Sequence, residues 1–355
     1  MKTASTAEQI FSQRALPPEL ELLYQPILSD LVEVELQLQN ELQSRYPYVD
    51  QLIKHAFLLG GKRLRPALVL LSAQTLGKIS SQHHLLATVV EMIHTATLIH
   101  DDIIDLAEVR RHLKTVNKQW DTESSVLLGD FLFSHAFYLA STLPSNQACQ
   151  IIGKTTNKIC EGELRQKGNQ GNFDLTEEEY FSIVGAKTAE LCACCCRLGA
   201  TFSSATDDEK DHLANFGYSL GVAFQIADDL LDIVGTEDRV GKSLGTDIQT
   251  QKLTLPTIHL LGNIAPDKRS SVLSLIREGK IDPLRQHMEE AGSIDYTKRV
   301  AQKFSEQGLA ELATLKEKLS AKRPTNGNSL TEDSPSQQAL SQLELLTHYM
   351  LRRSQ

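Results

Sequence analysis

Asp101-Asp102-Ile103-Ile104-Asp105 and Asp228-Asp229-Leu230-Leu231-Asp232 repeat one spacing, DDxxD, at two places in a chain of 355 residues. On a helix the first and last carboxylates of such a motif, four apart, project from one face about a turn apart. Like charges held that close are costly unless a cation neutralises them. Hard oxygen ligands suit Mg2+, which takes one or two protein carboxylates and completes its shell with substrate phosphate oxygens and water. A single acidic run is usually a solvated helix face. Two identical runs, each preceded by an apolar helical stretch, point instead to metal binding.

Cations lie close by in sequence. Arg110 and Arg111 follow Asp105, and Gly60-Gly61-Lys62-Arg63-Leu64-Arg65-Pro66 puts three cations into four residues behind two glycines. Lys242 follows Gly241, and Lys252 opens Lys-Leu-Thr-Leu-Pro. Beside carboxylates that would bind a metal, such cations suggest a polyphosphate site. His94 stands two turns before Asp101 on the same face and is placed to reach the same pocket. His100, next to Asp101, allows a second reading as the His-Asp pair of a metal-dependent phosphohydrolase; it is expected instead to pack or hydrogen-bond. The chain as a whole is acidic, with 36 Lys and Arg against 45 Asp and Glu and a formal charge of −9. That balance argues against a general nucleic-acid binder and leaves any anionic substrate to local basic clusters.

The elements that must hold these residues read as helices. No proline occurs between Pro66 and Pro144 or between Pro144 and Pro256, and apolar residues recur at helical spacing. Leu20, Leu23, Tyr24, Ile27, Leu28, Leu31, Val34 and Leu38 trace one stripe, and Leu213, Phe216, Leu220, Phe224, Ala227 and Leu231 another. Strand-like alternation is scarce. The expectation is an all-α fold: a single-domain bundle of ten or more helices around a central active-site cavity. Residues 1–18 read as a lead-in before a domain at 19–355, which carries a loop at 323–336 and a shorter one at 167–174. Cys192, Cys194, Cys195 and Cys196 are too close to staple distant segments and match no zinc spacing, so they read as small helix residues in a reducing compartment. No signal peptide or membrane-spanning run is apparent, and a cytoplasmic protein is expected.

The strings GGKRLRP, HDDIIDLAEVRRHLKTVN, GDFLF, EGELRQ, KTAEL, FQIADDLLD and VGKSLGTDIQTQKLTLP occur in the order seen in trans-polyprenyl diphosphate synthases. Over about residues 20–350 the chain resembles that family of isoprenoid synthases, which join an allylic diphosphate head to tail with isopentenyl diphosphate. The resemblance implies that Asp101, Asp105 and Asp228, supported by Asp102, Asp229 and Asp232, hold about three Mg2+ ions on the allylic diphosphate and stabilise the leaving group as its C–O bond breaks. It places Arg110, Lys187, Thr188, Gln225, Lys242 and Lys252 at the allylic diphosphate and Lys62, Arg65, His94 and Arg111 at isopentenyl diphosphate. The departing diphosphate is the favoured base, so no side chain is nominated. The family is usually homodimeric; the apolar stretch Leu127 to Leu139 would supply the interface, and a lipophilic product would be delivered to a membrane.

Chain length is read, by the same resemblance, from the residues four and five before the first aspartate. Here they are Thr97 and Ala96, with Ile93 and Val89 a turn deeper, and nothing bulky blocks the tunnel top. Products longer than C15 are expected; a C15 or C20 synthase is the alternative. A class I terpene cyclase would replace the second DDxxD by an Asn/Asp-Ser/Thr-Glu triad, and a non-catalytic subunit would tend to lose one cluster, whereas this chain keeps both. Two departures from the family stand out. His112 occupies a position usually held by Gly, and Thr250-Gln251 replaces an acidic-Gly pair, so the loop geometry before Lys252 is the open point.

Overall fold

The computed structural model describes residues 17–58, 61–235, 245–322 and 334–352. Most of the expected lead-in, most of the 323–336 loop and Lys242 lie outside the described residues. Well over ten α-helices are present among those described, with one two-stranded hairpin, Val109–Arg110 against Leu113–Lys114. The all-α expectation is met.

Two compact units divide the chain. The first comprises residues 1–153, 194–214 and 312–346; the second comprises 154–193, 215–311 and 347–355. Within the first, the helix Ser81–Ile104 is the central element, packed along Thr122–Ser141 and flanked by Leu64–Leu76 and Leu28–Glu41. Its N-terminus is closed by a reciprocal cap, in which the Ser80 backbone N–H donates to His83 Nδ1 at 3.0 Å, so a donor that the helix cannot satisfy finds a partner. Val89, Val90, Met92, Ile93 and Ala96 on this helix are fully buried.

The N-terminal apolar stripe differs from one continuous helix. Leu20, Leu23, Tyr24, Ile27, Leu31, Val34 and Leu38 are all buried, but they belong to Pro18–Tyr24, a 3-10 turn at Gln25–Ile27, and Leu28–Glu41. Pro26 lacks the N–H that an α-helix interior needs, and the tighter turn accommodates it. In the second unit the core is built by Tyr180, Val184, Ala189, Val222, Ile226, Ile233, Leu255 and Met288, among others. A π-helical turn, Gly185–Ala189, interrupts the run between Glu177–Val184 and Glu190–Thr201. Such turns are rare and collect at functional sites. The four clustered cysteines are buried helix residues.

Candidate active site

The first aspartate cluster occupies the last turn of Ser81–Ile104, with Asp105 as its C-cap. Three carboxylates at the negative end of a helix oppose its dipole, a further reason for a cation to be drawn there. Asp102 is buried and grips Arg110: Nε and Nη2 of the guanidinium donate to Oδ1 at 2.9 and 2.7 Å, and Nε reaches Oδ2 at 3.2 Å. Burial raises the Asp102 carboxyl above its ordinary range, Arg110 pulls it back, and Asp101 and Asp105 push it up again. Burial alone would lower the Arg110 guanidinium, yet the bond to Asp102 and the surrounding aspartates carry it higher.

Arg110 is delivered by the hairpin. Its two-residue turn, Arg111-His112, has φ of 51° and 65°. Positive φ at both central positions is what a type I′ hairpin turn requires, and Gly or Asn fits it with least strain. His112, where the family usually has Gly, therefore holds a left-handed conformation. Gln251 does the same, with φ 55°. It ends the short helix Thr246–Gln249, and its carbonyl accepts from Gly171 N–H at 3.0 Å. The turn before Lys252 therefore places a non-glycine residue in the left-handed region.

Arg111, though exposed, comes beside Gly61: a methyl group added to Gly61 would lie 3.5 Å from Arg111 Nη1 and 3.3 Å from Glu91 Oε1. A cavity in the first unit is lined by Gly61, Arg63, Glu91, His94, Thr95, Asp102, Arg110 and Arg111 among others. Arg65 Nη1 is 3.0 Å from His94 Nε2. Burial, then the charges of Arg65, Arg111 and Arg110, hold the His94 imidazole well below its ordinary pKa; it is neutral, and its Nε2 accepts from the guanidinium. Arg65 Nε is buried without a hydrogen-bond partner. The three cations of the loop are not equivalent. Arg63 is 3% exposed and ion-paired with both Glu35 and Glu91, Tyr24 Oη donates to the Lys62 carbonyl at 2.8 Å, and Lys62 and Arg65 are only partly buried.

His100 is a packing residue, as expected. Its Nε2 lies 3.2 Å from the Val126 carbonyl, and a Cβ on Gly129 would fall 2.2 Å from that nitrogen. Only glycine admits the ring there. Of the chain-length residues, Ala96, Ile93 and Val89 are buried and Thr97 is half-buried, its hydroxyl turned back on the His94 carbonyl at 2.8 Å.

The second cluster lies near the C-terminal end of the helix Asp207–Val234. Asp229 and Asp232 are buried and Asp228 is half-buried. Asp232 accepts from the Thr246 hydroxyl at 3.2 Å and the Asp247 backbone N–H at 3.1 Å. Asp229 accepts from Tyr180 Oη at 2.6 Å and from Gln225 Nε2 at 2.7 Å; Gln225 Oε1 in turn accepts from the Thr188 hydroxyl at 2.7 Å. Lys187, in the π-turn, is held by Glu163 (2.8 Å) and Gln166 Oε1 (3.1 Å). Gly162, immediately before Glu163 on the chain, lets the π-turn approach: a Cβ there would sit 2.9 Å from the Lys187 backbone nitrogen. Lys252 is half-buried.

Sequence reasoning missed Tyr180, Glu163 and Gln166. The last two lie in the EGELRQ string, whose only signal was its place in the motif order; a lone tyrosine on an apolar helix carries none. Among the described residues no three His, Cys, Asp or Glu side chains converge into a ready-made cage. In both clusters the middle aspartate is buried and accepts from a protein donor, Arg110 or Tyr180, and Asp101, Asp105 and Asp228 are only partly buried.

An all-helical frame that ends two helices in DDxxD, with arginines and lysines close to each, defines an enzyme class that handles prenyl diphosphates. The model of the polyprenyl synthetase family matches residues 46–291, and the chain belongs to that family; it is a prenyltransferase of the polyprenyl diphosphate synthase kind. It is 32% identical over 300 residues to the octaprenyl diphosphate synthase of Escherichia coli K12, covering 83% of this chain and 93% of that one. The decaprenyl diphosphate synthase structure from Rhodobacter capsulatus superposes with a TM-score of 0.83 at 31% identity, covering 95% of this chain and 99% of that one. A polyprenyl synthase from Caulobacter crescentus, solved with calcium and isoprenyl diphosphate, gives 0.82 at 30% identity, covering 92% and 97%.

Proposed function

We propose that the protein extends an allylic diphosphate by successive additions of isopentenyl diphosphate to a trans product longer than C15, with Mg2+ as its metal. The observation that carries the metal assignment is the division of burial within each motif: Asp102, Asp229 and Asp232 are buried, while Asp101, Asp105 and Asp228 are partly exposed to an incoming ion. Calcium and isoprenyl diphosphate in the Caulobacter relative support a metal–diphosphate site. Mg2+ would supply Lewis-acid stabilisation of the diphosphate as it departs.

The chain's own residues do the rest. Lys62, Arg65 and Arg111 bind isopentenyl diphosphate as charged donors. Neutral His94 orients the Arg65 fork through Nε2 and adds no charge of its own. Lys187, Lys242 and Lys252 bind the allylic diphosphate, and Arg110 acts through Asp102. Loss of the allylic C–O bond leaves a carbocation, which the isopentenyl double bond attacks; the proton then lost goes to the released diphosphate. Thr188 and Gln225 supply polar contacts on the allylic side. Buried Ala96, small and one turn before the first aspartate, leaves room for a long tail, in keeping with the octaprenyl and decaprenyl names of its relatives. Val126, Leu127, Phe131 and Tyr138, exposed along Thr122–Ser141, are proposed as the face of a homodimer. No helix among the described residues is long and apolar enough to cross a membrane.

Incubation with Mg2+, isopentenyl diphosphate and C5, C10, C15 or C20 allylic primers, followed by product sizing, tests this reading. Products beyond C15 that vanish with a chelator are expected. Release of phosphate alone, or a cyclised hydrocarbon, would overturn it.

A further inference from the structure

We propose that Tyr180 is a positioning residue for the allylic half of the reaction: by holding the Asp229 carboxylate it dictates which way the Gln225 amide faces. The inference rests on the reading of the second DDxxD as part of the metal–diphosphate site. Tyr180 projects from the helix Glu177–Val184 into the core of the second unit and is 3% exposed, with its ring edge-on to Phe181. Its hydroxyl donates to Asp229 Oδ2 at 2.6 Å and accepts from the Leu255 backbone N–H. Asp229, itself 6% exposed, turns its other oxygen to the Gln225 amide.

An ionised carboxylate only accepts hydrogen bonds, so the amide must present its NH2 group to Asp229 and its carbonyl oxygen to Thr188. That polarity fixes the hydroxyl direction of Thr188, which immediately follows Lys187 in the π-turn. One buried phenol therefore sets the orientation of a relay, Tyr180–Asp229–Gln225–Thr188, that ends beside Lys187, with Asp228 adjacent on the chain. Without the phenol, Oδ2 of Asp229 loses the donor that pins the carboxylate plane, and the amide is free to rotate. Outer-shell partners of this kind commonly change metal affinity or activity by about 10–100-fold when removed.

The test is Tyr180→Phe in the full-length protein, followed by calorimetric titration with Mg2+ and inorganic diphosphate and by steady-state kinetics. The expected result is roughly 10–100-fold weaker Mg2+-dependent diphosphate binding and a lower kcat, with KM for isopentenyl diphosphate within about twofold of wild type, because Lys62, Arg65, His94 and Arg111 are untouched. Asp229→Asn is the second variant: with one acceptor oxygen in place of two and no charge, it cannot hold Tyr180 and Gln225 on separate carboxylate oxygens, and the same loss is expected even if Tyr180→Phe does not fold. Wild-type Mg2+ and diphosphate affinity in either folded variant overturns the inference alone. Wild-type protein that binds diphosphate without Mg2+ dependence overturns the metal reading and the inference with it.

Discussion

Arg63 offers the sharpest contrast between a cation that binds substrate and one that builds the site. It stands between Lys62 and Leu64 in the basic segment, yet it is 3% exposed and paired with Glu35 and Glu91, which are 1% and 3% exposed. Its backbone is left-handed, with φ 51° at the N-cap of Leu64–Leu76, and its side chain bridges Leu28–Glu41 to Ser81–Ile104. Arg63→Met keeps the bulk and removes the charge, leaving two carboxylates buried without their counter-charge. Breaking one partner out of a buried ion pair costs about 3–5 kcal/mol, and two stranded glutamates put this case at the upper end. At roughly 2–4 °C per kcal/mol for a large domain, the melting temperature should fall by about 10–20 °C. Differential scanning fluorimetry reads the shift, and the kinetics of the surviving folded fraction read substrate binding. Lys62→Met is the control: it should raise KM for isopentenyl diphosphate while moving the melting temperature by no more than about 2 °C, as expected of a substitution outside the core. An Arg63→Met protein that melts with wild type and is impaired only in KM would refute the strut and make Arg63 a ligand.

Three further outcomes are expected. The depressed pKa of His94 means that its neutral form is favoured by folding, so the stability it contributes is complete above its ordinary value of 6.5 and is lost as pH falls through the lower folded value. Melting temperature should therefore drop as the pH is lowered from 6.5 toward the folded value. His94→Gln should make the drop shallower without abolishing it, since His83 and His259 are depressed in the same direction; an unchanged slope would contradict the assignment. Ala96→Phe should shorten the product on chromatography with the metal requirement intact, and unchanged length would place the stop elsewhere. Gln251→Gly should relieve a left-handed conformation costing about 1–2 kcal/mol, less about 0.5–1 kcal/mol of glycine entropy; a net gain near 0.5–1 kcal/mol should appear as a small rise in melting temperature.

What the sequence made legible was periodicity and repetition. The two DDxxD motifs announce themselves because identical charged spacings on apolar helices have few structural uses, and the long proline-free stretches betray the helical frame. What it hid were partnerships set by tertiary packing. Lys62, Arg63 and Arg65 look alike in a string of letters, and only the two glutamates brought from 28 residues away on either side of Arg63 mark it as structural. Arg110 and Lys187 read as open cations, but Asp102 and Glu163 hold them. Pro26 did mark the break in the N-terminal stripe, whose apolar spacing continues across it. The glycine-to-His112 and glycine-to-Gln251 departures marked backbone positions at which φ is positive, although nothing in the residue types present says so.

The proposed function requires that Asp101, Asp105 and Asp228 ligate Mg2+ when an allylic diphosphate is bound. A crystal structure with Mg2+ and an unreactive allylic diphosphate analogue measures this directly. Carboxylate oxygens of each of the three aspartates are expected at about 2.0–2.1 Å from a Mg2+ ion, with Asp102 and Asp229 still held by Arg110 and Tyr180. Cations absent from either motif, or both aspartate clusters facing bulk water with the diphosphate bound elsewhere, would contradict it.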